Sequence, residues 1–125
     1  MKPLMNELFI ISAEIATEGT IRNHERDYEM YDLLRNIPSM RANGNYNGRD
    51  ENSHIVFDES VARSMCADFN QECYLKRHMD GSCYLVYADG NTEYIGQWAE
   101  IPSKPTRSPY SEVAGRYFKT VLLTS

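Results

Sequence analysis

No stretch of this sequence approaches eighteen consecutive apolar residues, so no transmembrane helix is expected. The start, Met1-Lys2-Pro3-Leu4-Met5, does not read as a signal peptide, because the apolar run that follows from Leu8 is short and is broken by Glu14 and Glu18. Cysteine is scarce. Cys66, Cys73 and Cys83 are odd in number and lack metal or redox spacing, which points to reduced thiols in a cytoplasmic setting. His24, His54 and His78 are scattered, and no pair of them has ligand spacing, so no metal site and no cofactor is expected. No nucleophile elbow surrounds Ser12, Ser53 or Cys66, and none of the glycines belongs to a phosphate-loop pattern. Positive charge is also in deficit: 13 Lys and Arg stand against 18 Asp and Glu, a net charge of -5. That balance disfavours nucleic acid, where a basic surface supplies most of the affinity.

What is present is a globular composition. The 125 residues are 42% apolar and 25% charged, enough for a core without disulfides or metal. The charge is segregated. Residues 1–60 hold 6 basic and 11 acidic residues, residues 61–100 hold 3 and 6, and residues 101–125 hold 4 and 1. The basic end follows a run with prolines at 102, 105 and 109, which forbids helix. The expected organisation is one domain over residues 1–100. Residues 101–125 then form a Pro-rich linker and an arm packed on the domain or on a partner subunit.

Glu7 to Ala13 is a nearly continuous apolar run and reads as a buried strand. Ile21 to Ile37 reads as a helix, with Met30, Leu33, Leu34 and Ile37 at helical spacing and Asp27, Glu29, Asp32 and Arg35 toward solvent. Asn43 to Gly48 reads as a loop by every local signal. A strand is expected over 53–58. A helix capped by Asp58 follows over 59–69, with Val61, Ala62, Met65, Cys66 and Phe69 on one stripe. Three strands then alternate with Asp80-Gly81 and Asp89-Gly90 turns. Residues 116–123 form a last strand, or 111–119 a helix. The fold class expected is α+β: a single mixed or antiparallel sheet in β-α-β-α-β-β-β order, two helices packed on one face, and a Pro-rich C-terminal extension ending in a strand.

Several short segments carry a resemblance. Ile11-Ser12-Ala13 closes the first strand, Asn23 and Arg26 open a helix that runs to Leu33-Leu34, Glu51-Asn52-Ser53 leads into the second strand, and Phe69-Asn70-Gln71-Glu72 joins helix to meander. Over roughly residues 8–98 this resembles the bacterial and phage domain-of-unknown-function family 3293. The family tends to have Asn-Pro after the Ser-Ala, where this chain has Glu14-Ile15. The resemblance implies no activity, only a small cytoplasmic accessory protein of a bacterium or its phage.

Two constellations stand out as candidate sites. Arg22 and Arg26 lie one turn apart on a helix that opens with Asn23, an arrangement able to hold a small anion at the helix start. Glu51 and Gln71 sit at strand entrances beside the Asn/Gly loop and could line the same pocket. The second constellation is aromatic. Tyr74, Tyr84, Tyr87, Tyr94 and Trp98 fall on the meander and would form a recognition face if they point outward. The function expected is therefore binding without catalysis, to a host protein or a small anionic ligand, with inhibition of a host defence component as its sharpest form. One alternative is a small enzyme acting on a nucleotide or other phosphate compound, with Glu51 or His24 as acid–base. The other is a homodimeric structural module whose C-terminal arm crosses to its partner.

Overall fold

The computed structural model describes residues 6–46 and 48–122. Eight strands and two helices follow in the order β1 (Leu8–Ile11), α1 (Thr20–Leu33), β2 (Ser39–Tyr46), β3 (Arg49–Val56), α2 (Glu59–Asp68), β4 (Cys73–Arg77), β5 (Ser82–Tyr87), β6 (Thr92–Ile101), β7 (Tyr110–Val113) and β8 (Arg116–Val121). The strands close on themselves in the order β1-β3-β2-β7-β8-β6-β5-β4, and every neighbouring pair is antiparallel.

Strand alternation sorts side chains to the two sides of this wall. Leu8, Ile10, Ala42, Ile55, Leu75 and Cys83 fill the barrel, joined by Leu85, Ile95, Trp98 and Val113. The opposite faces of β1, β3 and β4 carry Phe9, Ile11, Val56 and Tyr74, which meet Met30 and Leu34 beneath α1 and Met65 and Phe69 beneath α2. β1 is thus buried on both sides, which explains its unbroken Leu-Phe-Ile-Ile run. Burying side chains of this size contributes roughly 1.5–3 kcal/mol each. Asp58 caps α2 by accepting a hydrogen bond from the Ser60 backbone N–H at 2.8 Å. The face that α1 turns inward is only half apolar. It buries Asn23 and Asp27 with Met30, while Leu33, Tyr28 and Tyr31 are exposed.

The expected fold class is therefore corrected: the molecule is a closed eight-stranded antiparallel barrel, not a single open sheet with a C-terminal extension. Two segments account for the difference. Asn43 to Tyr46 of the Asn/Gly tract read as a loop form the second half of β2, which pairs residue for residue with β3 from Ser39↔Val56 to Tyr46↔Arg49; Asn47 of that tract lies outside the described residues. Residues 110–121, beyond the prolines, form β7 and β8, which bridge β2 to β6 and join the sheet's two edges. Leu123, at the end of the expected last strand, lies outside the described residues. Closure removes the exposed edges that an open sheet would have to protect.

Gly96 sits where the β5–β6 register shifts, opposite Cys83. Its φ is +123°, and an added Cβ would stand 2.7 Å from the Val121 backbone. Only glycine fits both constraints.

Candidate functional site

The site begins with the short segment that leaves β1. Ser12 Oγ donates to the Asn52 carbonyl at 3.0 Å, and the Glu14 N–H donates to Ser12 Oγ at 3.1 Å. Arg26 Nε donates to the Ala13 carbonyl at 2.6 Å, while its Nη2 donates to the Phe69 carbonyl and its guanidinium lies over the Phe69 ring. Gln71 Nε2 donates to the Glu14 carbonyl at 3.1 Å. Asn23 accepts from the Ile15 N–H at 2.9 Å and donates to the Ile15 carbonyl at 3.0 Å. A turn that cannot pair with a strand or helix must find its hydrogen bonds elsewhere, and these four side chains supply them.

Between this turn, the start of α1 and the β2–β3 hairpin lies a cleft of about 500 Å³. Arg49 spans two carboxylates in it: Nη2 is 3.0 Å from Glu14 Oε1, and Nη1 is 3.2 Å from Glu51 Oε2. The second Glu14 oxygen accepts the Asn52 backbone N–H at 2.5 Å. Glu18 and Asp50 add two further acidic side chains to the lining, so the cleft is net negative. Glu51 faces Gly44 across the hairpin, a position with no side chain of its own. The ring of Tyr46 lies where a Cβ on Gly44 would stand.

Burial pushes the Glu51 carboxyl above its ordinary range, and the Glu14 charge adds to this; Ser12 and Arg49 pull it back only in part. The Tyr46 hydroxyl, 3.4 Å from Ser111 Oγ, is raised chiefly by burial, with the negative charge of Glu51 adding to it. Cys73 is raised by burial and then by Glu72, Glu51 and Glu93. Glu51, Tyr46 and Cys73 thus share one mouth of the barrel and influence one another. A half-buried carboxyl with a raised pKa in a cleft is a frequent mark of a functional site.

Of the five residues first picked out as an anion site, Asn23 and Glu51 line the cleft, whereas Arg26 and Gln71 stand behind it and hold its backbone. Arg22 lies outside, paired on the surface with Glu25 and Glu29. Glu14 and Arg49 were not singled out by sequence reasoning. The one signal pointing to Glu14 was that it occupies the turn directly after Ser12-Ala13.

The meander aromatics do not share one face. Tyr74 is buried under α2, 6.2 Å from Phe9, and donates to Glu59 at 2.9 Å. Tyr84 and Tyr94 meet edge to face at 5.4 Å on the outer surface. Tyr87 pairs with Cys73 near the mouth that holds Glu51. Trp98 stacks on Phe118 at 5.0 Å toward the opposite mouth. Among the described residues, no group of three or more His, Cys, Asp or Glu side chains is placed to hold a metal ion, and no helix is long and apolar enough to cross a membrane.

The model of the S-Adenosylmethionine lyase family matches residues 9–121, nearly the whole barrel. No curated protein sequence matches the chain. The family match overturns the resemblance to the domain-of-unknown-function family 3293, which rested on a few short segments, whereas the match runs over residues 9–121. It also overturns the expectation of a non-enzymatic phage or bacterial accessory protein that binds a host defence component, since the matched family is one of lyases. Of the earlier alternatives, the small enzyme is the one that the match favours.

Proposed function

Because the chain belongs to the S-adenosylmethionine lyase family, we propose that it cleaves a carbon–sulfur bond of S-adenosylmethionine in the acidic cleft at the Glu51 mouth of the barrel. The observation that carries this placement is Glu51 itself, half-buried beside Arg49 and opposite the side-chain-free Gly44. The substrate bears a sulfonium, an ammonium and a carboxylate on one flexible chain. An acidic cleft with a single guanidinium suits that pattern: Glu51 and Glu14 face the positive centres, and Arg49 receives the carboxylate. Asn23 and the hydrogen bonds from Arg26 and Gln71 keep the cleft wall in place.

A lyase of this kind needs no water. The bond between sulfur and the γ-carbon of the methionine chain breaks with its electron pair passing to sulfur, which becomes a neutral thioether. The substrate's own carboxylate oxygen closes onto that carbon in a five-membered ring, so atoms and charge balance within one molecule. The protein's task is to fold the substrate into the ring-closing conformation, where orientation alone is worth several orders of magnitude in rate.

The test is incubation of the purified chain with S-adenosylmethionine, reading methylthioadenosine and the residual amino-acid fragment by mass spectrometry. Glu51→Gln is expected to lower kcat at least about a hundredfold, and Arg49→Ala to act mainly on KM. No consumption above the protein-free blank, or full activity in Glu51→Gln, overturns the proposal.

A further inference from the structure

The mouth of the barrel opposite the acidic cleft holds a second cavity of about 420 Å³. Its wall is mostly apolar, formed by Leu8, Ile55, Phe57 and Val113 with the stacked pair Trp98 and Phe118. Two guanidiniums stand at its rim, and they differ. Arg116 is spent on Glu100, which it grips through both Nε and Nη2. Arg77 has no carboxylate partner among the described residues. It lies 5.6 Å over the Trp98 ring, and Nη2 donates to the Asn6 carbonyl at 2.8 Å. Its Nε–H is buried with no acceptor among the described residues. An unsatisfied buried donor on a charged group is costly, and a native fold that keeps one calls for an explanation.

We propose that this cavity is a binding site for a small amphipathic monocarboxylate, whose apolar body lies along Trp98 and Phe118 and whose carboxylate meets the Arg77 guanidinium. The volume lies within the range of small-molecule sites, and the chemistry has their usual form of apolar walls with one fixed polar group. Charge complementarity selects the sign of the ligand. With Arg116 and Glu100 neutralising each other, the charge left at the rim is the cation of Arg77. Burial also pushes the Arg77 pKa below its ordinary value, a cost that an incoming anion would offset.

Trp98 is the only tryptophan in the chain, so its emission reports on this cavity alone. The full-length protein is titrated with phenylbutyrate, with phenylbutanol as the uncharged control. A saturable change in Trp98 emission with a Kd no weaker than about 1 mM supports the site. So does binding of phenylbutanol at least about tenfold weaker, the scale of one charge-assisted hydrogen bond. Arg77→Gln is expected to lose about tenfold in phenylbutyrate affinity. Val113→Phe, which fills the cavity and leaves Arg77 in place, is expected to lose binding even if Arg77→Gln fails to fold. Equal binding of acid and alcohol, an unchanged Kd in either variant, or no saturable response overturns the proposal. Cleavage of S-adenosylmethionine at the other mouth is read separately, so the two proposals stand or fall independently.

Discussion

His54 Nε2 lies 2.8 Å from Asp27 Oδ1 in the closed seam between α1 and β3, and Arg41 reaches the other carboxylate oxygen at 3.3 Å from the solvent side. Both Asp27 and His54 are buried, at 6% and 1% exposure. This polar pair, with Asn23 one turn earlier, takes the place of apolar contacts on the inner face of α1 and fixes how the helix sits on the barrel.

Burial by itself would raise the Asp27 pKa. The hydrogen bond and charge of His54, with those of Arg41, outweigh it and hold the carboxyl below its ordinary range. A carboxylate depressed in the folded state adds stability that is complete above its unfolded value and lost as pH falls through the folded one. Wild-type urea midpoints should therefore decline below about pH 4. Asp27→Ala should cost about 2–3 kcal/mol at neutral pH by leaving the buried His54 Nε2 without its hydrogen-bond partner. The variant should also show a flatter decline in acid. Midpoints that fall equally steeply in both proteins would exclude this role for Asp27.

Arg22 and Arg26 occupy adjacent turns of α1 yet should behave differently. Arg22 makes only exposed ion pairs, so Arg22→Ala is expected within about 0.5 kcal/mol of wild type. Arg26 joins the end of β1 to the end of α2 through two carbonyls. Arg26→Ala should cost about 2–3 kcal/mol, and Arg26→Lys should not restore it, because an ammonium lacks the planar fork. Thermal unfolding of the three variants checks this. A full rescue by lysine would show that charge alone is at work.

Glu51 should leave a mark on both stability and turnover. Its carboxyl is raised above the ordinary range, first by burial and then by Glu14. A group raised in the folded state favours folding at low pH and loses that contribution as pH rises through its folded pKa. Glu51→Gln should thus raise the Tm at neutral pH while lowering activity, the exchange common at functional sites. The acid limb of the wild-type kcat/KM profile, which reports the free enzyme, should sit above the ordinary glutamate value of about 4.3. A limb at or below that value would separate Glu51 from the rate-determining ionisation.

Local chemistry made several elements legible. The stripe from Val61 to Phe69 and its Asp58 cap announce α2, and the Asp-Gly turns announce the β4–β6 meander. Glu51 was visible as a polar residue entering a strand beside a glycine-rich tract. Glu14 and Arg49 were not, because their meaning depends on a 3.0 Å contact across 35 positions of chain, for which spacing offers no clue.

By itself, the sequence determined the alternation, cap and turns that set β1, α2 and the β4–β6 meander, because those depend on neighbours within a few residues. Only the tertiary structure decided that the sheet closes. Closure depends on β7 and β8 finding β2 and β6, pairings between segments far apart in the chain. The same closure decided which side chains share a mouth. It set Glu51 against Tyr46 and Cys73 at one end and Arg77 over Trp98 at the other, because a barrel brings alternate residues of distant strands into one lumen.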